Sequence, residues 1–328
     1  MPRRPASSSI TQRQLVILTD SALLPQPLRA RRLKNTSTMG LLFKTLSVLP
    51  LGLLHAVGWC LGWLAYGLSA SYRAQFQENA QLAQFSWPQV RAAVGAAGQL
   101  IAELPRLWFG RPVPVVWDGA HHIEAALAAG QGIVFLTPHL GCFEVTAQAY
   151  AQRFGVGVEV GAGAAGQPGK PMTVLFRPPR KTWLTDLVTH ARSRPGLQTA
   201  PTSLAGVKQL LRALKAGHCV GLLPDQVPPL GQGLWSPFFG KDAYTMTLAL
   251  RLVQQTGATP LIAWGERLGG DRGYAVRVRP LGATLSADLA LATTQMNRAM
   301  EQLIAEAPGQ YLWGYARYKH PRAEPRAE

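Results

Sequence analysis

Between residues 113 and 305, short apolar runs alternate with stretches of helical periodicity, and this alternation restricts the fold more than any other feature of the chain. Strands are expected over 113–117, 133–137, 156–160, 172–176, 219–223, 259–264 and 274–278. Helices are expected over 123–129, 143–154, 183–191, 246–255 and 287–305, and another carries the apolar stripe Leu204, Val207, Leu211 and Leu214. Strands that alternate with helices bury both faces of a sheet, so the fold class is α/β, with a mixed, largely parallel sheet covered by helices. Pro114 lacks a ladder donor and places the first strand at an edge. Residues 161–171, rich in Gly, Ala and Pro, read as a loop.

Composition narrows the setting. A chain of 328 residues with 47% hydrophobic content can bury one sizeable core with an attached element. Its formal charge of +16 fits an acidic partner, an anionic membrane face or nucleic acid. No zinc-finger spacing and no aromatic-interleaved basic module is present, so nucleic acid is not expected as a partner. The three cysteines, Cys60, Cys142 and Cys219, form neither a disulfide framework nor a CxxC pair, which suits a reducing compartment.

The N-terminal part has its own character. Residues 1–38 carry seven Arg or Lys against the single acid Asp20 and read as a disordered basic extension. Met39 is a candidate natural start. Residues 39–72 are expected to anchor the chain: the apolar stretch 45–70 is long enough to cross a bilayer as a tilted helix. Trp59, Trp63, Tyr66 and Tyr72 gather toward its end, as interfacial aromatics do. Spanning and half-immersed placements both fit. Residues 73–109 read as two helices about the break Ser86-Trp87-Pro88, the catalytic domain is expected over 73–320, and 321–328 as a tail.

The chemistry concentrates after the run Gly132-Ile133-Val134-Phe135-Leu136, where Thr137-Pro138-His139-Leu140-Gly141-Cys142-Phe143-Glu144 begins. A buried strand delivers an imidazole to a Gly-containing turn, and a carboxylate comes five positions later. On one continuous helix such residues point about 140° apart, but a turn at Gly141 lets them converge. His139 is then a general base and Glu144 its orienting carboxylate. The plainer reading of His139 is a strand-end imidazole satisfied by a carbonyl, and Cys142 reads as a small buried filler. Arg177, Arg192 and Arg194 lie near strand ends, where guanidinium forks suit phosphate or carboxylate. Asp225 comes after an apolar strand at Pro224 and could cap the next segment or pair with an arginine. Lys208, Arg212 and Lys215 share one side of a helix, either a solvated face or a docking face for an acidic partner. There is no Walker loop, dinucleotide fingerprint, nucleophile elbow or HExxH motif.

His139-Leu140-Gly141-Cys142-Phe143-Glu144 resembles the HxxxxE/D signature of lipid acyltransferases. Phe176-Arg177-Pro178, Leu223-Pro224-Asp225-Gln226, Ser236-Pro237-Phe238-Phe239-Gly240 and Trp313-Gly314-Tyr315-Ala316-Arg317-Tyr318-Lys319 come in the order of one branch, the lauroyl/myristoyl acyltransferases of lipid A biosynthesis. The resemblance covers residues 40–320 and departs at Phe176, where Tyr is expected, and at 161–171, which looks like an insertion. It implies a glycerolipid acyltransferase-like sandwich with an N-terminal membrane helix, at the bacterial inner membrane with the catalytic domain facing the cytoplasm. It implies an acyl-acyl carrier protein thioester as donor, a hydroxyl of a lipid A precursor as acceptor, and no cofactor or metal. It also implies that His139 is the base, Glu144 its partner, and that Arg177, Arg194 and Asp225 shape the acceptor site. Backbone amides near the turn or an Arg would stabilise the oxyanion. Alternatives are acylation of another glycolipid or a lysophospholipid, and a non-catalytic membrane-anchored lipid-binding protein.

Overall fold

Pro50 divides the apolar N-terminal stretch into two helices, α1 (Thr38–Leu46) and α2 (Leu51–Leu68), where composition predicts one continuous helix. Proline has no N–H to donate and tolerates only the helix start, so α2 begins directly after it. Ser69 accepts a hydrogen bond from the Tyr72 N–H and caps α3 (Ala70–Leu82). The expected break at Ser86-Trp87-Pro88 is real, but it opens three short helices rather than one: α4 (Trp87–Val90), α5 (Ala92–Ala102) and α6 (Leu104–Phe109). The structure, a computed structural model, describes residues 38–160, 167–176, 188, 192, 194–282 and 284–323. The expected basic extension 1–38 apart from Thr38, which begins α1, the helix expected over 183–191 apart from Val188, and residues 324–328 lie outside the described residues.

The remaining elements are β1 (Val115–Asp118), α7 (Ala120–Ala128), β2 (Ile133–Leu136), α8 (Phe143–Phe154), β3 (Glu159–Val160), β4 (Gln167–Pro168), β5 (Met172–Phe176), β6 (Leu197–Pro201), α9 (Leu204–Lys215), β7 (Cys219–Leu222), β8 (Gly233–Phe238), β9 (Lys241–Met246), α10 (Leu248–Thr256), β10 (Thr259–Arg267), β11 (Tyr274–Pro280) and α11 (Leu289–Glu306). Seven strands form the main sheet in the order β1-β11-β10-β2-β7-β5-β6. Every neighbouring pair is parallel except β10 with β11. β1 lies at the edge, with Pro114 just before it rather than within it. The strand expected over 156–160 is only the two-residue β3, paired with β4 outside the main sheet.

β2 sits at the centre and alternates its side chains between two cores. Ile133 and Phe135 pack with Ile123, Val145, Ala149 and Tyr150 on the side of α7 and α8. Val134 and Leu136 pack with Leu210, Leu250, Met296 and Met300 on the side of α9, α10 and α11. A period of two with both faces covered makes such a strand continuously apolar.

Helix α2 lies along α5 through glycines. A Cβ on Gly62 would collide with the Val94 carbonyl, and one on Gly98 with the Gly58 carbonyl. Beside this crossing lies a buried ionic cluster. The Glu103 carboxylate, fully buried, accepts from Arg267 Nη2 at 2.6 Å and Nε at 2.9 Å, from Tyr274 Oη at 2.8 Å and from His55 Nε2 at 2.9 Å. Burial alone raises this carboxyl, but the Arg267 charge and the bonds from His55 and Arg267 outweigh it and hold it down at about 2. Glu103 thus joins α2 to β10 and β11.

Replacing Glu103 by Gln keeps the shape and leaves the buried Arg267 guanidinium without a counter-charge. The expected loss is about 3–5 kcal/mol, a thermal midpoint lower by on the order of 10 °C. Because the folded carboxyl is depressed, its contribution is complete above the unfolded value of about 4.3 and is withdrawn as pH falls toward 2. Denaturant titrations of wild type and Glu103→Gln should therefore converge across that window. A gap that does not narrow would show that Glu103 is not held ionised.

Candidate active site

Two strands end in matched register and each leads into the same short device. Leu136 of β2 pairs with Leu222 of β7, and the ladder continues with the Thr137 N–H donating to the Leu222 carbonyl at 3.0 Å. Three residues past these partners stand His139 and Asp225, after Pro138 and Pro224. Asp225 meets the His139 ring: Oδ1 lies 2.7 Å from Nδ1, and Oδ2 accepts the His139 backbone N–H at 2.8 Å. The carboxylate thus holds both the backbone and the ring of the histidine. Gln226 Nε2 lies 3.0 Å from His139 Nε2. An amide donor there fits a ring with its proton on Nδ1 and a lone pair on Nε2. Burial raises the Asp225 carboxyl, but His139, by charge and hydrogen bonds, and the Arg317 charge bring it below the ordinary carboxylate value.

This corrects the expected pairing of His139 with Glu144. Among the described residues no hydrogen bond or ion pair joins them. Gly141 takes a φ of +59° and makes the turn, and a Cβ there would collide with the Gly265 carbonyl. Glu144 then enters the first turn of α8 facing an arginine. Arg192 clasps it with both Nη2 and Nε, the latter at 3.2 Å, and Trp108 Nε1 donates to the same carboxylate at 3.4 Å. The Arg192 guanidinium lies against the rings of Trp108 and Phe176, at 6.0 and 5.8 Å.

Arg194, expected in the acceptor site, turns elsewhere. Its Nη2 donates to the carbonyls of Leu107 and Trp108 at 2.5 and 2.8 Å, ending α6. Arg177 lies outside the described residues. The turn amides are also committed: Leu140 to the Pro138 carbonyl, Gly141 to Gln310, and Cys142 to Gly265. The expected oxyanion donors of that turn are therefore occupied, and among the described residues Arg192 is the cation at the site. Cys142 is buried and its thiol pushed up, first by burial, so it is a filler.

A cleft opens beside the Glu144–Arg192 pair, lined by Phe135, Thr137, Phe143, Thr146, Met172, Val174, Leu175, Leu197 and Gly221, among others. Its walls are mostly apolar, and the Glu144–Arg192 pair is its charged part. The Thr146 hydroxyl is buried with no hydrogen-bond partner among the described residues. The C-terminal segment braces the histidine from outside: the Leu312 N–H donates to the His139 carbonyl at 3.1 Å, and Tyr315 Oη accepts the Val227 N–H at 2.9 Å. Arg317 is buried on the Tyr244 carbonyl and Thr245 Oγ1, at 2.8 and 2.6 Å.

A positioned His–Asp pair beside an apolar cleft with one ion pair is a geometry for deprotonating a hydroxyl next to a chain. The sequence pattern of the bacterial lipid A biosynthesis acyltransferases matches residues 34–320. The chain belongs to this family. It is 27% identical over 197 residues to a lipid A biosynthesis acyltransferase of Haemophilus influenzae, covering 60% of this chain and 56% of that one. It is 27% identical over 151 residues to the lipid A biosynthesis palmitoleoyltransferase of Escherichia coli, covering 46% and 49%. It is 26% identical over 204 residues to the lipid A biosynthesis lauroyltransferase of the same organism, covering 61% and 60%. The chain thus spans about half to three fifths of the length of these relatives.

Missed by sequence reasoning were the role of Asp225 as partner to His139 and the choice of Arg192 over Arg194. The signal for the first was present: two apolar strands each end in a residue, then Pro, then His or Asp. A double-mutant cycle tests the assignment. Asp225→Asn should lower turnover by about 10²–10⁴-fold and add almost nothing on top of His139→Ala, because the two act as a unit. Glu144→Gln should instead be non-additive with Arg192→Gln. Strong coupling of Glu144 to His139, with none to Arg192, would return the orienting role to Glu144.

Proposed function

We propose that this protein transfers a fatty acyl chain from an acyl-acyl carrier protein thioester to a hydroxyl of a lipid A precursor, at the cytoplasmic face of the bacterial inner membrane. The observation that carries this reading is the His139–Asp225 pair, its imidazole packed on Phe143 of the apolar cleft wall, in a chain of this family. Asp225 holds the Nδ1 proton, so Nε2 is the basic atom. The acceptor hydroxyl takes the place of the Gln226 amide at Nε2 and gives up its proton there as its oxygen attacks the thioester carbonyl. Arg192, fixed by Glu144, offers positive charge to the developing oxyanion. Collapse releases the thiolate, whose acidity, near that of a cysteine thiol at about 8.5, spares it strong acid help. The imidazolium returns its proton to that sulfur. The ester forms, the thioester bond breaks, and the histidine is restored.

The acyl tail fits the apolar walls of the cleft. Lauroyl or myristoyl is the proposed chain on motif resemblance, while relatives of similar identity are named for palmitoleoyl and lauroyl chains. Lys208, Arg212 and Lys215 are exposed on α9, in no ion pair among the described residues, and have the sign an acidic carrier needs.

Mass spectrometry of lipid A tests the proposal. Cells lacking the protein should lose one acyl chain from their lipid A, wild type should restore it, and His139→Ala expressed at equal level should not. Unchanged lipid A, or restoration by His139→Ala, would overturn the reading.

A further inference from the structure

Helix α2 is long and apolar enough for a bilayer span, yet its surroundings fit a different placement. Protein lines it from end to end. Gly52 in its first turn abuts the Asp271 carboxylate, His55 binds Glu103, Gly58 lies against the backbone of Gln99, and Gly62 against Val94. Tyr66 in its last turn packs on Phe76 and Trp87. Crossing a bilayer in this pose would carry Asp271, Gln99 and the Glu103–Arg267 pair into hydrocarbon beside it. Detaching α2 instead would strip the buried Glu103 of one hydrogen-bond donor and uncover its glycine contact face.

The outward side of α2 is of another kind. Leu53, Val57, Leu61, Leu64 and Leu68 run along it at helical spacing, all exposed, and no exposed residue of α2 carries a polar or charged side chain beyond the indole of Trp59 and the Cys60 thiol. Cations stand at both ends. Lys44 is exposed before it, and Arg73 after it donates Nη1 to the Tyr66 and Gly67 carbonyls. Neither pairs with a carboxylate among the described residues. An apolar stripe flanked by unpaired cations, on a chain of net charge +16, complements a lipid surface with anionic headgroups.

We propose that α2 is a monotopic anchor: it lies along the membrane plane with the Leu53–Leu68 side in the acyl boundary, while its glycine side stays on the catalytic domain, so both ends of the helix remain on one side of the bilayer. This placement does not depend on the reaction and would hold for any lipid-facing activity of this fold.

Single-cysteine topology mapping on the full chain tests it. In a Cys60→Ser background Cys142 and Cys219 are buried, so Thr45→Cys and Ser71→Cys, both at exposed positions flanking α2, report its two ends. A membrane-impermeant maleimide should label both in inverted membrane vesicles and neither in intact spheroplasts. Labelling of the two from opposite sides would establish a span and overturn the proposal. Independently, the purified protein should float with phosphatidylethanolamine/phosphatidylglycerol vesicles, and Val57→Glu with Leu61→Glu should reduce flotation at least tenfold with an unchanged thermal midpoint. Efficient Cys60–Cys60 cross-linking of the wild type in those vesicles would mean that a second copy covers the face, which also overturns it. Maleimide mapping does not depend on the glutamate variants folding.

Discussion

The parallel pairing of β2 with β7 is the constraint on which the site depends. Both strands are buried on both faces, so each can only be apolar, and their register is set by two cores at once. A slip of one residue would turn Ile133 and Phe135 into the core that receives Val134 and Leu136. Because that slip is so costly, Leu136 stays opposite Leu222, and the residues three positions further on meet with hydrogen-bond geometry. The His139–Asp225 pair therefore rests on long-range sheet register, and the local loop has only to carry His139 forward. The Leu312 bond to the His139 carbonyl and the Asp225 bond to its N–H fix the loop on both sides.

The large outlines were legible because burial on two faces leaves an unambiguous mark. Residues 133–137 and 219–223 are such runs, and both proved to be central strands. Signals failed where packing, turn geometry or chain connectivity outweighed composition. The hairpin of β8 and β9 turns through Phe239 and Gly240, with φ of +47° and +78°. That is the twist a two-residue hairpin needs, but Phe stands where Asn or Asp would have announced it. Pro237 and the exposed Trp235 further disguise β8. β6, with the sequence Leu-Gln-Thr-Ala-Pro, is a sheet-edge strand too polar to stand out. Sequence spacing suggested a His139–Glu144 contact, because five residues and a glycine permit one. It could not show that a carboxylate eighty-six positions away arrives first.

The two carboxylates of the site divide their work by the partners that neutralise them. Asp225 is buried and faces an imidazole, which can become cationic, so beyond the nearby Arg317 charge its own charge is matched further as a proton arrives on the ring. Glu144 is buried and faces a permanent guanidinium, so its charge is matched at all times. A carboxylate of the first kind favours proton transfer to its partner. One of the second kind holds a cation in place. Interchanging the two would fail on electrostatic grounds: a histidine beside the Arg192–Glu144 pair would gain no net negative charge to support its imidazolium.

Buried polar contacts also tie the site to α2. Glu103, which holds α2 through His55, is bound by Arg267 of β10, and the Arg267 N–H donates to Gln310 Oε1 at 3.0 Å. Gln310 in turn accepts the Gly141 N–H through its carbonyl. From α3, Asn79 donates to the carbonyls of Trp313 and Tyr315 at 2.6 and 2.7 Å. The segment 310–315 is thus gripped from both ends of the α2–α3 pair and is itself what braces His139. Packed polar groups of this kind have few alternative arrangements, so the attitude of α2 and the position of the imidazole are set together. If α2 lies on a membrane as proposed, the height of the His139 imidazole above the lipid plane is a distance within one packed unit, and it does not depend on a flexible tether.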